Sequence, residues 1–249
     1  MFAITEITLP PLPPSLRAEL ERGGKPVLRR VDLAVLQTLI AANRLDPSCF
    51  LTPAEQATLA SFTFPKRRLE WLGGRLAAKA TALAREGQDI TTAALATWQV
   101  NSAPDGRPGL QKVPASPGRP AWELSISHSH GLAAALVVAG RSCGLDLQKI
   151  TATVVRVREW FCSDAEAALM RSALVGPDEV RLTQLWAAKE AVRKGRGGVP
   201  LTGFLAMRLA GIEKLAEQAW CLRLAVAGAA EYPVVVFLVE DFAWAVSVR

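Results

Sequence analysis

The sequence predicts an α+β protein, a pseudo-dimer of two similar α+β subdomains, each with helices packed on a mainly antiparallel sheet. Three observations carry this. A helix-then-strands order appears twice along the 249 residues. The apolar period switches from helical to alternating before Ala96 and again before Phe204. Half of the residues are apolar and 21% are charged, the composition of a chain that buries a large core.

The first fifty residues read as an irregular extension packed on the first half, because Pro10, Pro11, Pro13 and Pro14 interrupt regular structure. Val31 to Leu39 fits a strand or a short helix. The first subdomain spans 51–150. Thr52-Pro53-Ala54-Glu55 has the form of a helix N-cap with proline at the first helical position. A longer helix follows from Lys66 to Arg85, with Leu69, Leu72, Leu76 and Leu83 as its buried stripe. Lys66, Arg67, Arg68, Arg75 and Lys79 decorate the remainder, and Gly73-Gly74 points to close packing. Ala96–Asn101 and Trp122–His128 alternate, with a turn at Ala103-Pro104-Asp105-Gly106 between them. Gly131–Gly140 and Cys143–Ile150 read as two further strands.

The second subdomain spans 151–249. Helices are expected near Val154–Phe161, Ser163–Leu174 and Asp178–Lys194. Strands are expected at Phe204–Leu209, Trp220–Ala225, Val234–Glu240 and Ala243–Val248. A cleft between two similar halves is a common place for a ligand.

A net charge of +6 favours acidic partners: phosphates, nucleic acid, an acidic protein or an anionic membrane. The four cysteines form no C-x-x-C pair, which disfavours a disulfide framework or a zinc finger. The start, MFAITEITLPPLPP, lacks the regions of a signal peptide, and the longest apolar run, Leu132–Ala139, is too short for a bilayer. A soluble, cytoplasmic protein is expected.

Three stretches could carry chemistry. His128 and His130, the only histidines, share a strand face with Ile126, and Ser127 and Ser129 lie on the other. No further ligand lies nearby to complete a zinc site. In Cys143-Gly144-Leu145-Asp146-Leu147-Gln148, Leu145 and Leu147 point into the core, and Asp146 and Gln148 point the other way. In Leu185–Gly198, Glu190 sits among Lys189, Arg193, Lys194 and Arg196. A Glu190–Lys194 surface pair would contribute only about 0.3–0.5 kcal/mol to a helix capped at Gly195. Alternatively, Asp146 and Glu190 supply two carboxylates to Mg²⁺, which binds through one or two carboxylates plus phosphates and waters. The surrounding cations would then hold the phosphates.

Gly106-Arg107-Pro108, Ser127-His128, Gly144-Leu145-Asp146-Leu147-Gln148 and Trp186-Ala187-Ala188-Lys189-Glu190-Ala191-Val192-Arg193-Lys194 follow one another in that order. Together they resemble the Sfp-type 4′-phosphopantetheinyl transferases, whose pattern is G-K/R-P, a strand ending in S-H, G-x-D-x-E, and W-x-x-K-E-x-x-x-K. The resemblance implies two α+β halves with coenzyme A between them. It also implies attack by a serine of an apo acyl, polyketide or peptidyl carrier protein on the β-phosphate, with 3′,5′-ADP leaving. Asp146 and Glu190 match the metal carboxylates, for Mg²⁺ or alternatively Mn²⁺. Gln148 stands where many relatives carry a third acid, and an uncharged amide would reach the metal through water. Ser127, His128, Lys189 and Lys194 match phosphate-contacting positions, Arg107 and Pro108 the segment beside the adenine, and Lys66 the basic position for the 3′-phosphate. Arg75 joins them on the same helix. Glu166, in Phe161-Cys162-Ser163-Asp164-Ala165-Glu166, matches the position of the proposed base; a metal-bound water is the alternative.

Two other readings stand beside the transferase. One is a coenzyme A-binding relative without transfer activity; intact Asp146, Glu166, Glu190 and Lys194 argue against it. The other is a basic nucleic-acid-binding protein with Trp71, Trp98 and Trp122 near basic segments, although these tryptophans sit in apolar runs. No P-loop is present. The expected partners are therefore coenzyme A and an acidic carrier protein steered by the basic surface, with no nucleic acid and no membrane. One chain supplies both halves, which favours a monomer.

Overall fold

A computed structural model describes residues 3–22, 24–114, 121–196, 202–228 and 231–249. Gly197 and Gly198, which end the basic stretch around Glu190, lie outside the described residues. The chain is α+β, with two antiparallel sheets, and it divides into two compact units. One comprises Met1–Thr8 and Gly23–Arg141, and the other Leu9–Arg22 and Ser142–Arg249.

The first unit holds a six-stranded sheet. Its strands are β1 (Ile4–Glu6), β2 (Val27–Asp32), β3 (Trp98–Ser102), β4 (Pro108–Lys112), β5 (Trp122–Ser129) and β6 (Leu132–Ala139), in the order β1-β2-β6-β5-β4-β3. Val31–Leu39 resolves as both expected elements. β2 ends at Asp32, whose carboxylate then caps α2 (Leu33–Ala41) by accepting from the Ala34 and Val35 N–H groups. α3 (Pro53–Ala60) starts with the expected cap, a full capping box between Thr52 and Glu55. α4 (Pro65–Arg85) lies on β6 and β2 with Leu72, Leu76, Ala77, Ala80 and Leu83 buried. A Cβ on Gly73 would strike Leu33 and crowd Ala133, and one on Gly74 would crowd Ile126, so the glycine pair permits the close approach.

The second unit begins before the strand that carries Asp146, not after it: the boundary falls at Arg141–Ser142. The first fifty residues also differ from the irregular extension expected. Pro14 opens a helix, α1 (Pro14–Leu20), because proline costs nothing at the first helical position. Leu9–Arg22 groups with the second unit, where α1 touches its sheet. That sheet comprises β7 (Cys143–Lys149), β8 (Met207–Ala216), β9 (Ala219–Val226), β10 (Tyr232–Val239) and β11 (Phe242–Val248), in the order β7-β11-β10-β9-β8. After the short helices α5 (Thr92–Ala96), in the first unit, and α6 (Thr153–Arg156), α7 (Asp164–Ala173) and the long α8 (Asp178–Arg196) cover one face. Leu182, Leu185, Ala188 and Val192 pack there against Leu222, Leu224, Val234, Val236, Ala243 and Ala245. Asp146 pairs with Ala245 in register, so this core lies on the Asp146 side of the sheet. Leu145 and Leu147 are buried on the reverse face.

Each unit is locked by the same buried constellation. In the first, Lys79 Nζ meets Glu55 Oε2 at 2.6 Å and donates to the Phe50 carbonyl at 2.7 Å, while Glu55 Oε1 accepts the Val100 N–H at 2.9 Å. In the second, Lys189 Nζ meets Glu166 Oε1 at 2.7 Å and donates to the Phe161 carbonyl at 2.6 Å, while Glu166 Oε1 accepts the Leu209 N–H at 2.8 Å. Lys79 is therefore no surface decoration: like Lys189, it is fully buried. The repeat is visible as Phe50-x-Thr52-x-x-Glu55 and Phe161-x-Ser163-x-x-Glu166, each followed by its lysine on the long helix.

Candidate functional site

In the second unit, Gly144 and Gly195 set how closely α8 approaches β7. A Cβ on Gly144 would collide with the Ala191 carbonyl and the Gly195 nitrogen, and one on Gly195 would lie 3.2 Å from the Gly144 nitrogen. Gly195 is thus not a C-cap; the helix runs through it to Arg196. This approach brings Lys194 to β7, where its Nζ donates to Asp146 Oδ1 at 2.7 Å and to the Leu145 carbonyl at 3.0 Å. Glu190 lies one turn earlier on the helix. Burial, with the charge of Asp146 added, pushes its carboxyl above the usual range, against the pull of Lys194 and Arg193. Arg193 reaches Glu190 Oε1 at 3.4 Å and stacks over Phe204.

A partly desolvated Glu190 carboxyl, with the charge of Asp146 opposing its ionisation, suits a divalent cation. Among the described residues, no three His, Cys, Asp or Glu side chains cluster. A cation held by Asp146 and Glu190 would complete its shell with water and phosphate oxygens, as Mg²⁺ commonly does. Gln148 lies two residues along β7 on the Asp146 side, half-buried.

Glu166 and Lys189 are placed otherwise than as base and phosphate ligand. Both Glu166 oxygens are engaged: Oε1 by Lys189 and the Leu209 N–H, Oε2 by the Ser163 N–H at 2.9 Å and the Ser163 hydroxyl at 3.1 Å. Burial would raise this carboxyl, yet those bonds outweigh it and hold it below the ordinary value. Such a group is a poor proton acceptor. Lys189 spends its donors on Glu166, Phe161 and Phe204, with no exposed surface.

In the first unit, a pocket of about 250 Å³ gathers His128, Pro108, Gly106, Trp71, Arg75 and Arg67 among its lining. Arg75 lies over the Trp71 ring at 4.3 Å. His128 Nδ1 is 3.9 Å from Glu70 Oε1, also in the wall. Arg75, Pro108 and His128 therefore line one pocket. Lys66 is not among them: its side chain is 88% exposed on another face of α4. Arg67 takes the place at this pocket, and helical spacing explains it, since 67, 71 and 75 are four apart. That spacing was the available signal for Arg67 and Trp71, which the motif order did not single out. Ser127 is buried on the sheet face opposite His128 and does not line the pocket. Arg107 pairs with Asp105 at 2.7 Å beside Pro108. His130 leaves the strand at φ 42°, so the two histidines share no face, and Ser129 Oγ bonds its Nδ1 at 3.0 Å.

No helix among the described residues is long and apolar enough to cross a membrane. Residues 142–247 match the model of the family described as the 4′-phosphopantetheinyl transferase superfamily. This stretch coincides with the second unit apart from Leu9–Arg22 and the last two residues. No curated protein matches the chain.

Proposed function

We propose that the protein transfers the 4′-phosphopantetheine arm of coenzyme A to a serine hydroxyl of an apo carrier protein, in a Mg²⁺-dependent reaction. The serine Oγ bonds to the β-phosphorus, the bridging P–O bond to the α-phosphate breaks, and 3′,5′-ADP leaves with the bond electrons. The serine proton passes to solvent. The observation that carries the reading is the placement of Asp146 and Glu190 beside Lys194, within the stretch that matches the superfamily.

Each residue has work suited to its surroundings. Asp146 on β7 and Glu190 on α8 would hold the cation, which when bound neutralises diphosphate charge. Lys194 and Arg193 supply positive charge to the oxygens of the leaving phosphate. Arg67, Arg75 and His128 offer cationic and hydrogen-bonding groups, and Trp71 a ring face, to the nucleotide end of coenzyme A. Glu166 and Lys189 hold α7, α8 and β8 together and so fix Glu190, the next residue on the helix.

The test is a mass spectrum of an apo carrier protein after incubation with the protein, coenzyme A and Mg²⁺. A gain of one phosphopantetheine arm, lost with EDTA and with Glu190→Ala, supports the reading. Coenzyme A binding without any gain on fatty-acid, polyketide and peptide carriers would leave a binding protein instead.

A further inference from the structure

The opposite face of α4 builds a second concavity, of about 610 Å³, entirely within the first unit. Its walls are apolar: Ile40 from α2, Leu59 from α3, and Leu69 and Leu72 from α4. Lys66 and Arg68 stand on its lip, both exposed. Among the described residues, no acidic one lines it. The nearest ion-pair partner of Lys66 is Glu70, at a loose 3.9 Å. Phe64, next to this wall in sequence, leaves its ring 72% exposed.

We propose that this cavity binds a single-chain anionic amphiphile, an alkyl chain ending in a carboxylate or phosphate. The chain would lie along Ile40, Leu59, Leu69 and Leu72, and the head would meet Lys66 and Arg68. Three features select this occupant. Apolar walls with a few convergent polar groups at one end are the design of a small-molecule site, and the volume falls within the usual range of about 300–1,000 Å³. A partner helix is about 10–12 Å across with its side chains, and three turns of it fill more than about 1,000 Å³, which exceeds this cavity. Two cations with no acid in the lining select a negative head and disfavour a neutral or cationic one. The site owes nothing to the transferase reading, since its walls are distinct from the pocket around Trp71 and from the carboxylates on β7 and α8.

The experiment is calorimetric titration of the full chain with monomeric dodecanoate, kept below its micelle concentration. Saturable one-to-one binding is expected. The double charge reversal Lys66→Glu/Arg68→Glu should weaken it by about tenfold or more. Ala41→Trp, at an exposed wall position where a larger side chain does not burden the core, should block it. Arg67→Glu, on the other face of the same helix, should change it less than about threefold. Dodecyl phosphate in place of dodecanoate shows which head is preferred, and binding of either supports the site. Absence of saturable binding, binding that survives Ala41→Trp, or equal binding of dodecyltrimethylammonium would overturn the proposal. Binding confined to phosphatidylglycerol vesicles, or to an acidic amphipathic peptide, would overturn it too, because the occupant would then be a surface and not a single chain.

Discussion

Lys194 Nζ donates to Asp146 Oδ1 at 2.7 Å, joining the end of α8 to the edge strand β7. The contact exists because Gly144 and Gly195 carry no Cβ where helix and strand meet. Gly144→Ala would place a methyl group against the Ala191 carbonyl, which belongs to the helix backbone and cannot rotate away. A stability loss of about 1–3 kcal/mol is expected, the usual cost of overpacking. Urea unfolding would measure it. A thermal shift on adding Mg²⁺, present for the native chain and absent for Gly144→Ala, would show that the same displacement separates Asp146 from Glu190. An unchanged midpoint would mean that the two backbones lie further apart than described.

The paired locks make a second prediction. Glu55→Gln and Glu166→Gln should each cost about 3–5 kcal/mol, because each leaves a fully buried lysine without its counter-charge. Glu166→Met combined with Lys189→Met should recover part of that loss, since the pair is removed whole. The acid side has a definite sign. The Glu166 carboxyl is held below its ordinary value in the fold, so its contribution is complete above that ordinary value and is lost as pH falls through the lowered one. The thermal midpoint of Glu166→Gln should therefore fall less on acidification than that of the native chain. If Glu166→Gln keeps native stability yet abolishes transfer, Glu166 is a base and the lock reading fails.

Much of this was legible in the chain, for physical reasons that also mark where legibility stops. The stripe Leu72, Leu76 and Leu83 located α4, and Thr52 with Glu55 located the start of α3, because helical period and cap chemistry are local signals. Asp146 and Glu190 came from motif order. What failed was tertiary. Lys79 and Lys189 sit in sequence like surface cations, and only their distant partners Glu55 and Glu166 bury them. Gly195 has the local form of a helix stop, yet its reason is Gly144 on another element. β4 was missed because its sequence, Pro108-Gly109-Leu110-Gln111-Lys112, carries little strand alternation, although it pairs with β3 and β5. Lys66 and Arg67 are adjacent in sequence but face different concavities, and only the helical phase separates them.

Cysteine chemistry offers a third check, independent of function. Cys49 is exposed and Cys143, Cys162 and Cys221 are buried. Burial pushes the Cys221 thiol up to about 11, and Cys162 is raised for the same reason. At pH 8 a thiol reagent should titrate one cysteine quickly in the native protein, and Cys49→Ser should remove that signal. Four fast thiols would show that the sheet of the second unit is not closed as described.

The last prediction concerns the pocket around Trp71. The Arg75 guanidinium lies over that indole at 4.3 Å, a contact that positions the cation. Binding of 3′,5′-ADP, a product that carries the nucleotide end of coenzyme A, should perturb Trp71 fluorescence. Arg75→Ala removes both the charge and the stacking partner and should weaken binding by about tenfold or more, equivalent to ~1.4 kcal/mol. Arg67→Ala should act in the same direction through charge alone, and its effect should shrink as salt rises, because exposed charges are screened. Lys66→Ala should have the smallest effect of the three, since its side chain points to the other concavity. Titrations of the three variants at two salt concentrations decide the matter. If Lys66→Ala proves the most damaging, the nucleotide end binds along the opposite face of α4, and the residues around His128 serve some other ligand.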